Sequence, residues 1–294
     1  MSESLHHAAF ASKMADGRVA CLLCPHNCIL ADQQYGICRV RCNINGEMMT
    51  ASYGTIAAVH VDPVEKKPLA DFMPGTETFS IGTLGCNLDC DWCQNDSLSR
   101  SDYRTQYRNM KAYSPREIVR AAQNNGCPSI SYTYNEPAVF AEFVIDTAKL
   151  AHEQGLKNIL VSNGFINLKA AEELFINIDA ANFDVKAFTE EVYHQRIYGA
   201  LSPVLECIRY FYSTGKHLEL TMLIVPGVND DPEEIRNFAL WVKNELSPEV
   251  IVHFTAFHPA GRTLNVPRTR PDTLFAICSC AEECGLKNIR LGNI

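Results

Sequence analysis

From about residue 78 onward, short apolar runs rich in branched residues alternate with longer stretches whose apolar positions recur at helical spacing. Strands are predicted at 78–83, 129–134, 158–162, 180–185, 217–225 and 250–257, and a helical stretch follows each. The helix starts are marked independently of the periodicity. Ser114-Pro115-Arg116-Glu117 is a capping box with proline at the first helical position, and Asp231-Pro232-Glu233-Glu234 repeats the logic. Gly126, Gly155, Gly215 and Gly285 stand where helices should stop, because glycine takes the left-handed conformation that closes a helix at little cost. Six βα units predict an α/β fold, a parallel sheet with helices outside. Pattern alone leaves open whether that sheet closes on itself.

Residues 1–76 carry no such alternation. Cysteines crowd between positions 21 and 42, glycines are frequent and no long amphipathic helix follows residue 16. A segment this short can hardly stabilise itself by core burial, so 1–76 is expected to be a small Cys-rich, metal-stapled N-terminal module with a linker. The boundary to the second unit, 77–294, is expected near Pro74-Gly75. Within the linker, Asp62-Pro63-Val64-Glu65-Lys66-Lys67-Pro68 is stiffened by two prolines and offers Lys66 and Lys67 to an anionic substrate or partner, or to solvent.

The chain of 294 residues has a formal net charge of −8, which argues against a general nucleic-acid binder, since such proteins draw affinity from basic patches on phosphates. No apolar run approaches the roughly 18–20 residues that a membrane-spanning helix needs. The start, Met-Ser-Glu-Ser-Leu-His-His, lacks the basic and apolar regions of a secretory signal, so a cytoplasmic protein with no membrane partner is expected. Thirteen cysteines in a reducing compartment are then expected to serve metals and catalysis, with disulfides rare.

The most informative string directly follows the first predicted strand. Gly-Cys-Asn-Leu-Asp-Cys-Asp-Trp-Cys-Gln-Asn (85–95) places Cys86, Cys90 and Cys93 in a C-x3-C-x2-C loop. Three thiolates can hold three corners of a four-iron cluster, and the fourth iron is then left open. The loop resembles that of radical S-adenosylmethionine enzymes, with Trp92 and Asn95 as in the glycyl-radical-activase branch. Four further strings extend the likeness over roughly residues 18–293: Cys-Leu-Leu-Cys-Pro-His-Asn-Cys (21–28), Tyr-Gly-Ile-Cys-Arg-Val-Arg (35–41), Asp-Pro-Val-Glu-Lys-Lys-Pro-Leu (62–69) and Phe-Met-Pro-Gly (72–75). Together they resemble the AmmeMemoRadiSam-system radical SAM family, related to pyruvate formate-lyase activating enzymes.

The resemblance implies a partial (βα)6 TIM-like barrel, with reacting groups at the C-terminal strand ends. It also implies a [4Fe-4S] cluster on Cys86, Cys90 and Cys93 and S-adenosylmethionine bound at the open iron. Tyr134-Asn135-Glu136-Pro137 stands where related activases carry Gly-Gly-Glu-Pro, a grip on the methionine amino group; only Glu136 and Pro137 match. Ser162-Asn163-Gly164-Phe165 resembles the segment that contacts the cofactor's ribose or carboxylate, although Val161 replaces an aspartate that serves a cation site in some activases. Asp184-Val185-Lys186 resembles an Asp-Leu-Lys motif; alternate residues share a face, so Asp184 and Lys186 are expected to point together into the barrel. Val225–Asp230 is expected to give a backbone rim, and His253, with Phe257-His258-Pro259, to contact adenine or substrate. Trp92 completes the set of candidate cofactor contacts, and no catalytic side chain is assigned.

Cys21-x2-Cys24-x3-Cys28-x9-Cys38 offers a second set of four thiolates, and either zinc or an iron–sulfur cluster accepts that set. Cys42 is read as a spare, and Cys278, Cys280 and Cys284 on the last helix as core cysteines. The expected activity is an oxygen-sensitive radical SAM oxidoreductase that reductively cleaves S-adenosylmethionine to a 5′-deoxyadenosyl radical. That radical takes hydrogen from a small molecule, a peptide or a partner protein, with flavodoxin or ferredoxin as electron donor. A glycyl-radical-enzyme activase is one alternative, and a non-catalytic iron–sulfur or zinc electron-transfer or scaffold protein is another. The family resemblance adds Memo and AMMECR-type proteins as partners.

Overall fold

A computed structural model describes residues 5–102 and 110–294; the start of the N-terminus read for targeting signals, 1–4, falls outside them. Six short strands make two small antiparallel sheets at the N-terminus. Strands β1 (His6–His7), β6 (Glu47–Thr50) and β5 (Arg41–Ile44) form one, and β2 (Ala11–Lys13), β3 (Val19–Cys21) and β4 (Ile29–Leu30) form the other.

The main sheet has eight strands: β7 (Ala58–Pro63), β8 (Glu77–Gly82), β9 (Ser129–Tyr132), β10 (Lys157–Ser162), β11 (Ala180–Asp184), β12 (His217–Ile224), β13 (Ile251–Ala256) and β14 (Ile289–Gly292). They lie side by side in chain order, with β8 to β14 parallel and β7 antiparallel on the edge of β8. All six predicted strands are present. Strand β9 stops two residues early because Tyr134 takes a positive φ of 73°, which ends the extended run.

Two edge strands escaped the pattern. In β7, Val59 and Val61 are exposed, so the strand lacks a continuous buried face, and β14 is only four residues, three half-buried and Arg290 exposed. The sheet therefore begins at residue 58, on the N-terminal side of the boundary expected near Pro74-Gly75.

Alternation along the strands separates two environments. Phe79, Ile81, Ile130, Tyr132, Leu160, Phe183, Leu220, Met222, Val252 and Phe254 join the large core under the helices. The covering helices are α1 (Pro115–Asn124), α2 (Ala141–Glu153), α3 (Leu168–Phe175), α4 (Leu201–Ser213), α5 (Pro232–Trp241) and α6 (Pro271–Glu283). The capping box at Ser114 is formed, with Glu117 reaching back to the Ser114 N–H at 2.8 Å, and Asp231 caps α5. The intervening strand residues are small or polar: Thr78, Ser80, Ser131, Asn182, Glu219, Thr221 and His253 are all buried. Residues at the C-terminal ends of the parallel strands line a single cavity, so the sheet curls into a partial barrel around a polar interior.

The segment expected to be a linker fills the bottom of that interior. Val64 and Leu69 pack against Ile159 and Ala180, and the Asn182 amide donates to the Pro68 carbonyl at 2.7 Å. Glu219, fully buried, accepts from the backbone N–H groups of Ala70 and Asp71 at 2.8–3.1 Å, and is also held by His217 at 2.8 Å and His253 at 2.6 Å. Burial opposes its charge, yet the hydrogen bonds from both histidines and both backbone N–H groups outweigh burial and hold the carboxyl at about 2. The stabilisation is present above its ordinary value of 4.5 and is lost as pH falls from there through about 2.

Replacing Glu219 by alanine leaves these donors without their acceptor, and removing one partner of a buried charged network costs about 3 kcal/mol or more. Thermal unfolding at neutral pH is expected several degrees below the wild type; an unchanged midpoint would show that this carboxylate does not hold the floor.

Candidate functional site

The loop after β8 is held in place before its cysteines begin. The side chain of Asn135 accepts from the Thr83 N–H at 2.8 Å and donates to the Thr83 hydroxyl at 3.0 Å and the Gly85 carbonyl at 2.8 Å. Gly85, at φ 86°, lies so close to the N-terminal module that a Cβ there would sit 2.4 Å from the Cys38 carbonyl oxygen. The Cys86 sulfur then accepts from the Leu88 N–H at 3.5 Å and the Asn163 amide at 3.8 Å, and Cys93 meets the Ser99 hydroxyl at 3.6 Å. Burial pushes the Cys86 thiol well up and the Cys90 thiol up to about 12. Such thiols lose their protons when a metal takes them as ligands.

Ion pairs brace the loop from outside. Arg100 bridges Asp89 at 2.7 Å and the Cys90 carbonyl at 2.6 Å, while Arg196 meets Asp91 at 2.6 Å. Arg262 spans both aspartates, at 2.8 Å to Asp89 and 3.4 Å to Asp91. Asp89 and Asp91 alternate with the motif cysteines, and that alternation was the available signal for this bracing. Two of their arginines, Arg196 and Arg262, come from more than 100 positions away and carried none.

Cys86, Cys90 and Cys93 open onto a cavity of about 620 Å³, within the range of small-molecule and cofactor sites. The sequence-derived candidates Trp92, Tyr134, Asn135, Glu136, Ser162, Asn163, Asp184, Lys186 and His253 all line it. Their environments differ. Glu136 accepts from Ser162 Oγ at 2.8 Å, from the Asn163 N–H at 2.8 Å and from the Ala138 N–H at 2.9 Å, and burial raises its pKa. Asn135 commits its amide to the cysteine loop, so its role here is that of a clamp. Tyr134 donates its hydroxyl to Asp62 at 2.7 Å, and Trp92 is a buried wall. Asn163 donates to Asn87 Oδ1 at 2.9 Å as well as to Cys86.

Asp184, Thr221 and His253 form one row, since their strands place them opposite one another in register. Lys186 pairs with Asp184 at 2.7 Å. Burial disfavours its charge, but Asp184 and the Cys90 and Cys93 sulfurs overcome this and keep it firmly cationic. The Lys186 backbone carbonyl is fixed by the Asn229 amide at 2.8 Å, which gives Val225–Asp230 a side-chain contribution beyond the backbone rim expected. The sequence did not single out Thr221. Its hydroxyl is buried and has no hydrogen-bond partner among the described residues. Lys67, buried against the Tyr134 ring and paired with Asp62 at 2.8 Å, also lines the cavity, as does the more exposed Lys66 at its rim.

Cys21, Cys24, Cys28 and Cys38 meet at a second, smaller cavity. Of the last-helix cysteines only Cys284 is buried; Cys280 is half-buried against the core with its thiol on the Pro232 carbonyl at 3.6 Å, and Cys278 is half-buried with its thiol 3.6 Å from Glu282. Among the described residues, no helix is long and apolar enough to cross a membrane.

A family model described as the Radical SAM superfamily matches residues 80–239. An uncharacterized protein of Methanocaldococcus jannaschii is 38% identical over 291 residues, which is 99% of this chain and 86% of that protein. Pyruvate formate-lyase 1-activating enzyme of Escherichia coli is 22% identical over 185 residues, 60% of this chain and 73% of that enzyme. Among solved structures, Streptococcus suis SuiB bound to S-adenosylmethionine superposes with a TM-score of 0.54 at 14% identity, covering 74% of this chain and 51% of that one.

Gly261 offers a test of how tightly the cysteine loop is held. It has φ 57°, and a Cβ there would lie 2.5 Å from the Asp91 carbonyl oxygen and 3.1 Å from the Cys93 nitrogen. Besides this clash, the left-handed conformation costs a non-glycine residue about 1–3 kcal/mol. Gly261→Ala is expected to retain clearly less iron per chain than wild type while its circular dichroism is unchanged; full iron loading would show that the loop has slack.

Proposed function

Because the chain belongs to the radical SAM superfamily, we propose that it cleaves S-adenosylmethionine reductively at a four-iron cluster held by Cys86, Cys90 and Cys93. The observation that carries this reading is the convergence on one cavity of three half-buried thiols, a paired lysine and a hydroxyl with no hydrogen-bond partner among the described residues. The donor set fits: thiolates suit iron–sulfur clusters, and three of them leave one iron for a ligand. When bound, the cluster and S-adenosylmethionine supply a one-electron cleavage to methionine and a 5′-deoxyadenosyl radical able to abstract hydrogen.

The protein's own groups do the positioning. Lys186, held by Asp184, presents a cation for the cofactor's carboxylate. Glu136 and the Ser162–Asn163 segment form a polar wall suited to the methionine ammonium and the ribose, and Thr221 offers its free hydroxyl within the same row as His253. Trp92 and the filled barrel floor keep bulk water from one side of the cavity.

Likeness to the activating enzyme supports a substrate presented by a peptide or partner protein, such as the backbone glycine of a glycyl radical enzyme. A small molecule is the second substrate class, and Memo and AMMECR-type proteins are candidate partners. An adjacent glycyl radical enzyme gene favours the first, and adjacent Memo and AMMECR-type genes favour the second. A one-electron donor such as flavodoxin or ferredoxin would serve either. A non-catalytic iron–sulfur protein would bind no S-adenosylmethionine.

Anaerobically reconstituted protein is expected to form 5′-deoxyadenosine from S-adenosylmethionine and dithionite, and Cys90→Ala to form none. Lys186→Ala should keep its iron but bind S-adenosylmethionine about ten- to a hundredfold more weakly, the loss of a charge-assisted hydrogen bond. Equal calorimetric affinity in wild type and Lys186→Ala would remove the lysine from the site, and absence of 5′-deoxyadenosine would remove the activity.

A further inference from the structure

The N-terminal cysteines form a constellation that the proposed reaction does not use. Cys21 ends β3 and donates its N–H to the Cys28 carbonyl at 2.8 Å, which closes a loop over Cys24. That loop turns at Asn27, with φ 44° and its N–H on the Cys24 carbonyl at 3.0 Å. A second turn runs from Gly36 through Cys38 to Arg39, at φ 68°. A Cβ on Gly36 would lie 3.7 Å from the Cys28 sulfur and 3.8 Å from the Cys38 sulfur, so the bare glycine sits between two thiols. All four cysteines line one cavity of about 20 Å³, whose other walls include Leu23, Leu30, Ile37 and Val139. None is in a disulfide.

Hydrogen-bond donors and one cation face the tetrad. Burial pushes the Cys24 and Cys38 thiols up, while the N–H of His26 faces the Cys24 sulfur and the N–H groups of Val40 and Arg41 face that of Cys38. Arg41 lines the same cavity and is almost fully buried. One end of its guanidinium pairs with Glu142 at 2.8 Å and bonds the Ala9 carbonyl, but its Nε has no hydrogen-bond partner among the described residues. Beyond its pair with Glu142, this permanent cation lines the wall of the tetrad's cavity. It balances the net negative charge that four thiolates keep after binding a metal.

We propose that Cys21, Cys24, Cys28 and Cys38 hold a second metal centre, a soft metal bound by four thiolates and separate from the open cluster. A ligand set of four thiolates leaves no coordination position for substrate, so this centre is closed and stabilises the module. The strands it ties together are two or three residues long and could not hold one another by burial. Among the described residues no group of side chains forms a ready-made single-ion cage, and that holds for this tetrad as for Cys86, Cys90 and Cys93. The centre abuts the first loop: His26 Nε2 lies 2.7 Å from the Asn87 carbonyl oxygen, and the Cys38 carbonyl seats against Gly85.

The inference is independent of the S-adenosylmethionine chemistry, and its test reads metal rather than turnover. Full-length protein purified anaerobically is analysed for iron, zinc and acid-labile sulfide as wild type, Cys21→Ala/Cys24→Ala, Cys86→Ala/Cys90→Ala/Cys93→Ala and Cys42→Ala. The triple variant is expected to retain either about four irons with sulfide or one zinc per chain, which identifies the metal. The double variant should lose that complement and keep the other, while Cys42→Ala keeps both. A folded triple variant with neither metal overturns the proposal, as does a double variant with the full wild-type content. Because the triple variant leaves the N-terminal tetrad intact, the result stands even if the double variant fails to fold.

Discussion

A loop that carries three thiols at the mouth of a barrel has no regular structure of its own, so its shape must be imposed by its surroundings. Asn135 imposes most of it, with one side-chain amide bonding both the start of the loop at Thr83 and the Gly85 carbonyl. Gly82 and Gly85 permit that closeness, since a Cβ at either would strike a carbonyl oxygen, of Thr133 at 2.6 Å or of Cys38 at 2.4 Å. From this clamp the cysteines project in a fixed order into the cavity, and the Asp89 and Asp91 ion pairs stop the far side of the loop from swinging out.

The second constraint lies below the loop. A partly open barrel with a polar interior would admit water from beneath, and the segment after β7 closes that path. Its backbone N–H groups end on Glu219, whose carboxylate also takes His253. His253 is the neighbour in register of Thr221, and Thr221 of Asp184, so the floor and the cavity-facing row share one hydrogen-bonded support. This explains why a glutamate is retained inside the fold: it fixes both the plug and the histidine, and its many donors offset the cost of burying it.

Much of this was legible beforehand. Short apolar runs rich in branched residues located the six central strands, and cysteine spacing located the three-thiol loop. What escaped depends on tertiary context. Strand β7 is an exposed edge with no buried face to betray it, and the Pro-Val-Glu-Lys-Lys-Pro segment has the composition of a linker although it plugs the barrel. Glu219 is a single polar residue whose importance comes from a partner 149 positions away at Ala70, and Asn135, read as a cofactor contact, takes its clamping role from Gly85, 50 positions away. Asp184 and Lys186 were readable because alternate strand residues share a face, whereas Thr221 was silent because its significance is an unused hydroxyl.

The central claim is that the thiols of Cys86, Cys90 and Cys93 hold a cluster with one iron left for S-adenosylmethionine. Mössbauer spectra of iron-57-loaded protein, recorded with and without S-adenosylmethionine, address it most directly. The account predicts that one iron subsite separates from the others when S-adenosylmethionine is added, and that this change is absent in Cys90→Ala. Spectra that are identical with and without S-adenosylmethionine in fully loaded wild-type protein would contradict it.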